Sequence, residues 1–226
     1  MLQIVYQDEN IVAINKPHGL LVHKTSLAMD AKVFALQELR NQLNQHVYPV
    51  HRLDRKTSGV LLFALNKEYQ SKISALFREG KMSKQYVAIV RGYTQEVGTI
   101  NYHLKNDRGV IQEAITNYKT LKHYEIDEPF GNYQTSRYSL VELQPLTGRM
   151  HQIRKHMAHI FHPIIGDRPH GCNKQNKFWK EKWSMTNMML HAEKLSLNLD
   201  NNQIEIVAEK SSSMKEVISL LENLNI

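Results

Sequence analysis

The chain has 226 residues, room for one large mixed domain or two lobes, and its 42% hydrophobic and 23% charged residues exclude extensive disorder. Lys and Arg number 29 against 22 Asp and Glu, a formal +7 that favours a polyanionic partner such as nucleic acid. The single cysteine, Cys172, excludes an intramolecular disulfide and a multi-cysteine zinc site. The first ten residues lack the basic-then-apolar layout of a signal peptide, and the longest apolar run, Val60 to Leu65, is too short to span a bilayer. The expectation is a cytoplasmic protein with no membrane association.

In chain order, short runs rich in β-branched and aromatic residues predict strands at Gln3–Tyr6 and Ile11–Asn15. Residues 17–30 read as a loop. Val33, Leu36, Leu39 and Leu43 form an apolar helical stripe. A strand follows at Gly59–Leu65, then a second helix on Tyr69, Ile73, Leu76 and Phe77, with Gly80 as its C-cap. Strands are predicted at Gln85–Arg91, Thr116–Tyr124 and Tyr138–Leu143, where Lys119, Lys122 and Glu142 alternate with apolar neighbours as in half-exposed antiparallel pairs. Met150, Ile153, Met157 and Ile160 make a third helical stripe. Gly171 to Asn187 reads as a loop, in which Lys174, Lys177, Lys180 and Lys182 interleave with Phe178, Trp179 and Trp183. That mixture suits phosphates and unpaired bases, although the tryptophans are individually better read as packing on the core. Strands at Leu190–Leu199 and Gln203–Val207 precede a last helix, opened by a capping box of Ser213 and Glu216 and carried by Val217, Leu221 and Leu224. Strands outnumber helices and hairpin-length gaps dominate. The fold class is therefore α+β, a mixed but mainly antiparallel sheet with flanking helices.

Three segments can carry chemistry. HRLDRKTSG, residues 51–59, sets one carboxylate, Asp54, between Arg52 and Arg55, which favour its charged form; Thr57, Ser58 and Gly59 suggest a tight turn. Taken alone, an aspartate that only caps or salt-bridges its own turn is the better reading. TGRMHQIRKHMAHIFHPIIGD, residues 147–167, places its four apolar helix positions within a sector of about 80°, with Arg154 at the edge. A guanidinium at a core boundary needs a carboxylate partner, and spacing alone does not select Asp54 from the other acids. Its histidines scatter over roughly 140° without a compact ligand set, so they read as surface or RNA-facing imidazoles rather than a metal site. In the third segment, Lys84 to Ala88, strand alternation sets Tyr86 beside small neighbours, as a stacking platform or as plain core. No GxGxxG, phosphate loop or nucleophile elbow occurs, which points to cofactor-free chemistry or to binding alone.

With those residues in hand, the chain resembles the RluA-type pseudouridine synthases over nearly its whole length. The match runs in order through ENIVAINKPHGLLVH, HRLDRKTSGVLLFA, SKQYVAIVRG, LTGRMHQIRKHMAHIFHPIIGD and LHAEKLSL. Within the family it is most similar to the tRNA pseudouridine-65 synthase group, on NQHVYPVHRLDRKTSG, YQTSRYSLVELQ and GDRPHG. The resemblance implies a single catalytic domain over 1–226, in two lobes with a central cleft and no S4-like domain ahead of it. It implies Asp54 as the catalytic aspartate, Tyr86 as the ring that stacks on the flipped uracil, and Arg154 as the arginine that pairs with the aspartate. Arg52 matches the arginine that fills the gap left by the flipped nucleotide. Arg55, Arg149, His151, Lys84, Lys177 and Lys180 are the further candidate RNA contacts. No metal or other cofactor, and no obligate protein partner, is expected. Competing readings are a ribosomal RNA synthase of the same family, an inactive RNA-binding module, and a hydrolytic glycosidase; the last needs two flanking carboxylates where these motifs supply one.

Overall fold

The computed structural model describes residues 1–23 and 33–226. The predicted loop 17–30 therefore lies in part outside the described residues. Elements follow in chain order: β1 (Gln3–Gln7), β2 (Ile11–Lys16), α1 (Ala35–Leu43), β3 (Tyr48–Pro49), β4 (Ser58–Ala64), α2 (Lys67–Arg78), β5 (Met82–Arg91), β6 (Val97–Asn101), β7 (Leu104–Lys105), β8 (Ile111–Gln112), β9 (Ile115–Ile126), β10 (Ser136–Pro145), α3 (Gln152–His159), α4 (Asn173–Trp183), β11 (Leu190–Leu199), β12 (Asn202–Val207) and α5 (Ser212–Leu224). Each predicted strand is present. The first helix starts at Ala35, leaving Val33 half exposed ahead of it, and Met150 likewise precedes α3 and faces solvent. Among the described residues no helix is long and apolar enough to cross a membrane.

The chain divides into two compact units, Met1–Lys84 with Ala192–Ser211 and Gln85–His191 with Ser212–Ile226. In the first, strands run in the order β1-β2-β4-β11, with β3 also on β4 and β12 on β11. β2 pairs antiparallel with both β1 and β4. Its core joins Ile11, Ala13, Val60 and Leu62 to Ile73 of α2 and to Leu195, Leu197 and Ile206. β4 is buried along its whole length, as its unbroken apolar run predicts. Gly59 carries φ +110°, and a Cβ there would lie 2.1 Å from the carbonyl oxygen of Ala192. Only glycine meets both conditions.

In the second unit the order is β5-β10-β9-β6, every pair antiparallel, with α3 and α5 against β9 and α3 also against β10. The segment expected as a loop at 171–187 instead contains α4. Gln175 and Trp179 are its buried face, Trp179 meeting Tyr138 edge-on at 5.2 Å between centroids and Trp183 at 4.5 Å. Gln175, Trp179 and Trp183 recur every four residues, a helical stripe masked by the lysines between them.

Two helix ends contrast. After α2, the Lys81 amide donates to Leu76 O (2.9 Å) and the Gly80 amide to Phe77 O (3.3 Å), with Gly80 at φ +70°. This is the Schellman closure, with glycine in the left-handed position as predicted. After α3 the same pair of bonds runs from His162 to Met157 O (2.9 Å) and from Phe161 to Ala158 O (3.1 Å), but the left-handed residue is Phe161, at φ +64°.

Gly59→Ala is expected to cost about 3 kcal/mol, the sum of a left-handed backbone and an overpacked contact. Urea denaturation would measure it as a lowered midpoint at unchanged slope.

Candidate active site

In the first unit the residues 51–59 form a turn at the mouth of β4. The Thr57 amide donates to Asp54 O at 3.1 Å, so Arg55 and Lys56 occupy the corners while Thr57 and Ser58 are buried behind them. Asp54 is half buried and Arg52 exposed. Arg55 is exposed too, but its Nε donates to Gly19 O (3.1 Å) and its carbonyl accepts from the Gly19 amide (2.8 Å), so it ties two loops together.

Lys16, which sequence reasoning passed over, is the hub of this arrangement. It is fully buried, and its Nζ donates to the carbonyls of Pro17 (3.0 Å), Leu20 (2.9 Å) and Arg55 (3.2 Å). Burial pushes the ammonium down to about 7, and the Asp54 carboxylate opposes the shift. The signal lay in NKPHG, where a lysine closes an otherwise buried strand.

His51 anchors the other side. Its Nε2 accepts the Leu62 amide (2.9 Å) and its ring stacks on Phe77 at 4.6 Å. Burial first, and the charge of Lys84 second, push the imidazole down to about 3. Lys84 itself is half buried and lowered by burial.

In the second unit the TGRMHQ segment is stapled by Gln152. Its Oε1 accepts from Thr147 Oγ1 (2.7 Å) and the Arg149 amide (2.9 Å), while its Nε2 donates to Ile115 O (2.9 Å) and Thr116 Oγ1 (3.0 Å). Arg149 Nε donates to Glu113 O at 2.9 Å. Arg154 is 5% exposed, and its fork meets Asp167 bidentately, Nε to Oδ2 and Nη2 to Oδ1, both at 2.8 Å. Asp167 is 1% exposed and its backbone is held in turn, since Asn176 Nδ2 of α4 donates to its carbonyl at 2.7 Å. The carboxylate demanded by Arg154 is thus met at least in part by an acid in its own motif, thirteen residues on, which the sequence reading did not single out.

Of the histidines expected at the surface, His156 is fully buried, with Thr116 Oγ1 2.9 Å from Nδ1 and Tyr102 O 3.0 Å from Nε2. That corrects the reading: a helix wheel does not show that β9 stands over this ring. His151 is half exposed, its Nδ1 2.9 Å from His170 Nε2. Tyr86 is half buried on β5 opposite Leu143. Lys177 and Lys180 are exposed on α4, Lys177 within 3.6 Å of Glu181. Among the described residues, no group of three or more His, Cys, Asp or Glu is placed to hold a metal ion.

A family model for RNA pseudouridylate synthases matches residues 10–159. A protein of Vibrio vulnificus (strain CMCP6) named tRNA pseudouridine synthase C is 46% identical over 218 residues, covering 92% of this chain and 89% of that one. One of the same name from Haemophilus influenzae (strain ATCC 51907 / DSM 11121 / KW20 / Rd) is 43% identical over 232 residues, 97% of each. Two solved human structures share the fold. RNA Pseudouridylate Synthase Domain Containing 1 has TM-score 0.76 and 23% identity, covering 98% of this chain and 95% of its own; Domain Containing 4 has TM-score 0.75 and 25% identity, covering 97% and 93%.

Two outcomes are expected. Asp167→Asn should cost about 3 kcal/mol, because it removes the carboxylate charge that both arms of a buried guanidinium meet; chemical denaturation reads this directly. The unfolded His51 ring takes up a proton as pH falls below 6.5 while the folded ring does so only near 3. Stability present above 6.5 is therefore lost across that interval. A His51→Gln variant, compared with wild type by melting temperature against pH, should show a shallower fall.

Proposed function

The chain belongs to the RNA pseudouridylate synthase family, and from that premise we propose that its RNA substrate is tRNA, that the target is uridine 65, and that Asp54 is the catalytic carboxylate. The observation that carries the tRNA assignment is the identity of 43–49% over most of the chain to relatives named tRNA pseudouridine synthase C. The intact HRLDRKTSG run, with Asp54 at the head of a turn, supports the catalytic assignment.

The reaction breaks the N1–C1′ bond of uridine, turns the uracil and joins C5 to C1′, after which C5 loses its proton and N1, freed from the sugar, takes one up. Product and substrate are isomers, so nothing is oxidised or consumed. The uridine must first leave its helix, at a cost of a few kcal/mol. Arg52, exposed beside Asp54, fills the gap and meets phosphate. Asp54 then attacks C1′ or removes a proton from C2′; both routes need a charged carboxylate in fixed geometry, and positioning supplies much of the rate. The turn at 54–57, held through Lys16, supplies that geometry. Tyr86 keeps the freed uracil in place as it rotates, and Arg154, fixed by Asp167, is the family's matching arginine. Arg55, Lys84, Arg149, His151, Lys177 and Lys180 make the remaining RNA contacts.

Asp54→Asn should retain fold and tRNA affinity yet form no pseudouridine; conversion at the wild-type rate would overturn the assignment. Carbodiimide-based mapping in a strain lacking the gene should lose the signal at tRNA position 65. Loss in ribosomal RNA alone would instead establish the rival address.

A further inference from the structure

A cavity of the second unit is lined by none of the residues assigned above to catalysis or to RNA contact. It lies wholly within the second unit, measures about 670 Å³, and counts Arg91, Tyr93, Phe130, Tyr133, Arg137 and Phe161 in its lining. That size is within the range of small-molecule sites. Among the described residues, no aspartate or glutamate lines it. Glu125 stands behind, accepting from Tyr93 Oη (2.9 Å), Thr135 Oγ1 (2.5 Å) and Arg137 Nε (3.1 Å). Both arginines already lie over ring faces, Arg91 5.6 Å from the Phe130 centroid and Arg137 5.1 Å from that of Tyr93. Two further rings face solvent, Tyr133 at 67% exposure and Phe161 at 88%.

Phe161 is the telling residue. It occupies the left-handed position of a Schellman closure in which α2 uses Gly80. A side chain there opposes folding, and at 88% exposure the ring recovers little by burial. A strained, exposed aromatic at the rim of a cavity is the kind of outlier that function retains.

We propose that this cavity is a second RNA site, taking an unpaired nucleotide of the substrate other than the target uridine. Its base stacks on Phe161 and Tyr133, and its phosphate meets Arg137 and Arg91. Rings and guanidinium groups in the lining, with the one adjoining acid, Glu125, turned to their far side, are the chemistry that holds unpaired bases irrespective of sequence. An apolar peptide would leave the arginines without a role, and an acidic one the exposed rings. Arg91 lies five residues along β5 from Tyr86, about 17 Å at ~3.4 Å per residue. That equals about five stacked nucleotides, too far for one nucleotide to span. The proposal rests on the family's RNA substrate and not on the tRNA-65 address.

The test uses the full chain and a tetraribonucleotide carrying 2-aminopurine, whose fluorescence is quenched on stacking. Wild type should quench it. Phe161→Gly removes the ring while relieving the backbone, so it should melt no lower than wild type yet bind at least about 10-fold more weakly. Tyr133→Ala, on a separate loop, should act likewise, and Arg137→Gln should weaken binding and flatten its salt dependence. With whichever RNA the mapping identifies as substrate, Phe161→Gly should raise KM by a similar factor at unchanged kcat. Unaltered quenching by Phe161→Gly would overturn the site. Weaker tetranucleotide binding with unaltered KM would overturn its place on the substrate path. Neither result depends on which uridine is modified, so the address can fail separately.

Discussion

A lysine buried among carbonyl oxygens is the constraint on which the loops of the first unit depend. An ammonium without solvent is costly unless each proton finds an acceptor. Lys16 has three, and they come from two separate loops, Pro17 and Leu20 on one side and Arg55 on the other. The cost of burying the charge is thereby converted into a fixed distance between these loops. Gly19 and Arg55 repeat the tie through a reciprocal pair of bonds. Asp54 heads the turn so held, and its carboxylate acts back on Lys16 through charge. β4 leaves the turn as a wholly buried strand, and Gly59 lets it pass the Ala192 backbone.

The second unit uses the same logic with opposite sign. Asp167 is a buried carboxylate whose oxygens meet Arg154, while Asn176 binds both its carbonyl and, through Oδ1, the Gly166 amide. α3 and α4 are thus tied to one short segment, and Gln152 does for the 147–152 loop what Asn176 does for 166–167. In both units a buried polar side chain bonded to several partners holds loop backbone, and the neighbouring side chains inherit its rigidity.

Much of this was legible. β2, β4, β5 and β11 are found from their apolar runs, and Gly80 from its place after an apolar stripe. α4 was missed because lysines and aromatics in a 17-residue stretch imitate a loop, although Gln175, Trp179 and Trp183 recur at helical spacing. His156 was misplaced because a wheel describes one helix and not the strand laid over it.

From the order of residue types alone come a carboxylate between arginines, an arginine at a helix's core boundary and a net positive chain. Those properties are local, set by covalent spacing and helical or strand periodicity. Folding in three dimensions is what buries Lys16, sets Asp167 on the fork of Arg154, and joins Phe161, just past α3, to residues 130–137 around one cavity. Such pairings depend on which chain segments meet in space. Charge complementarity is satisfied equally well on paper by several acids, and it is the fold that brings Asp167 onto the fork of Arg154.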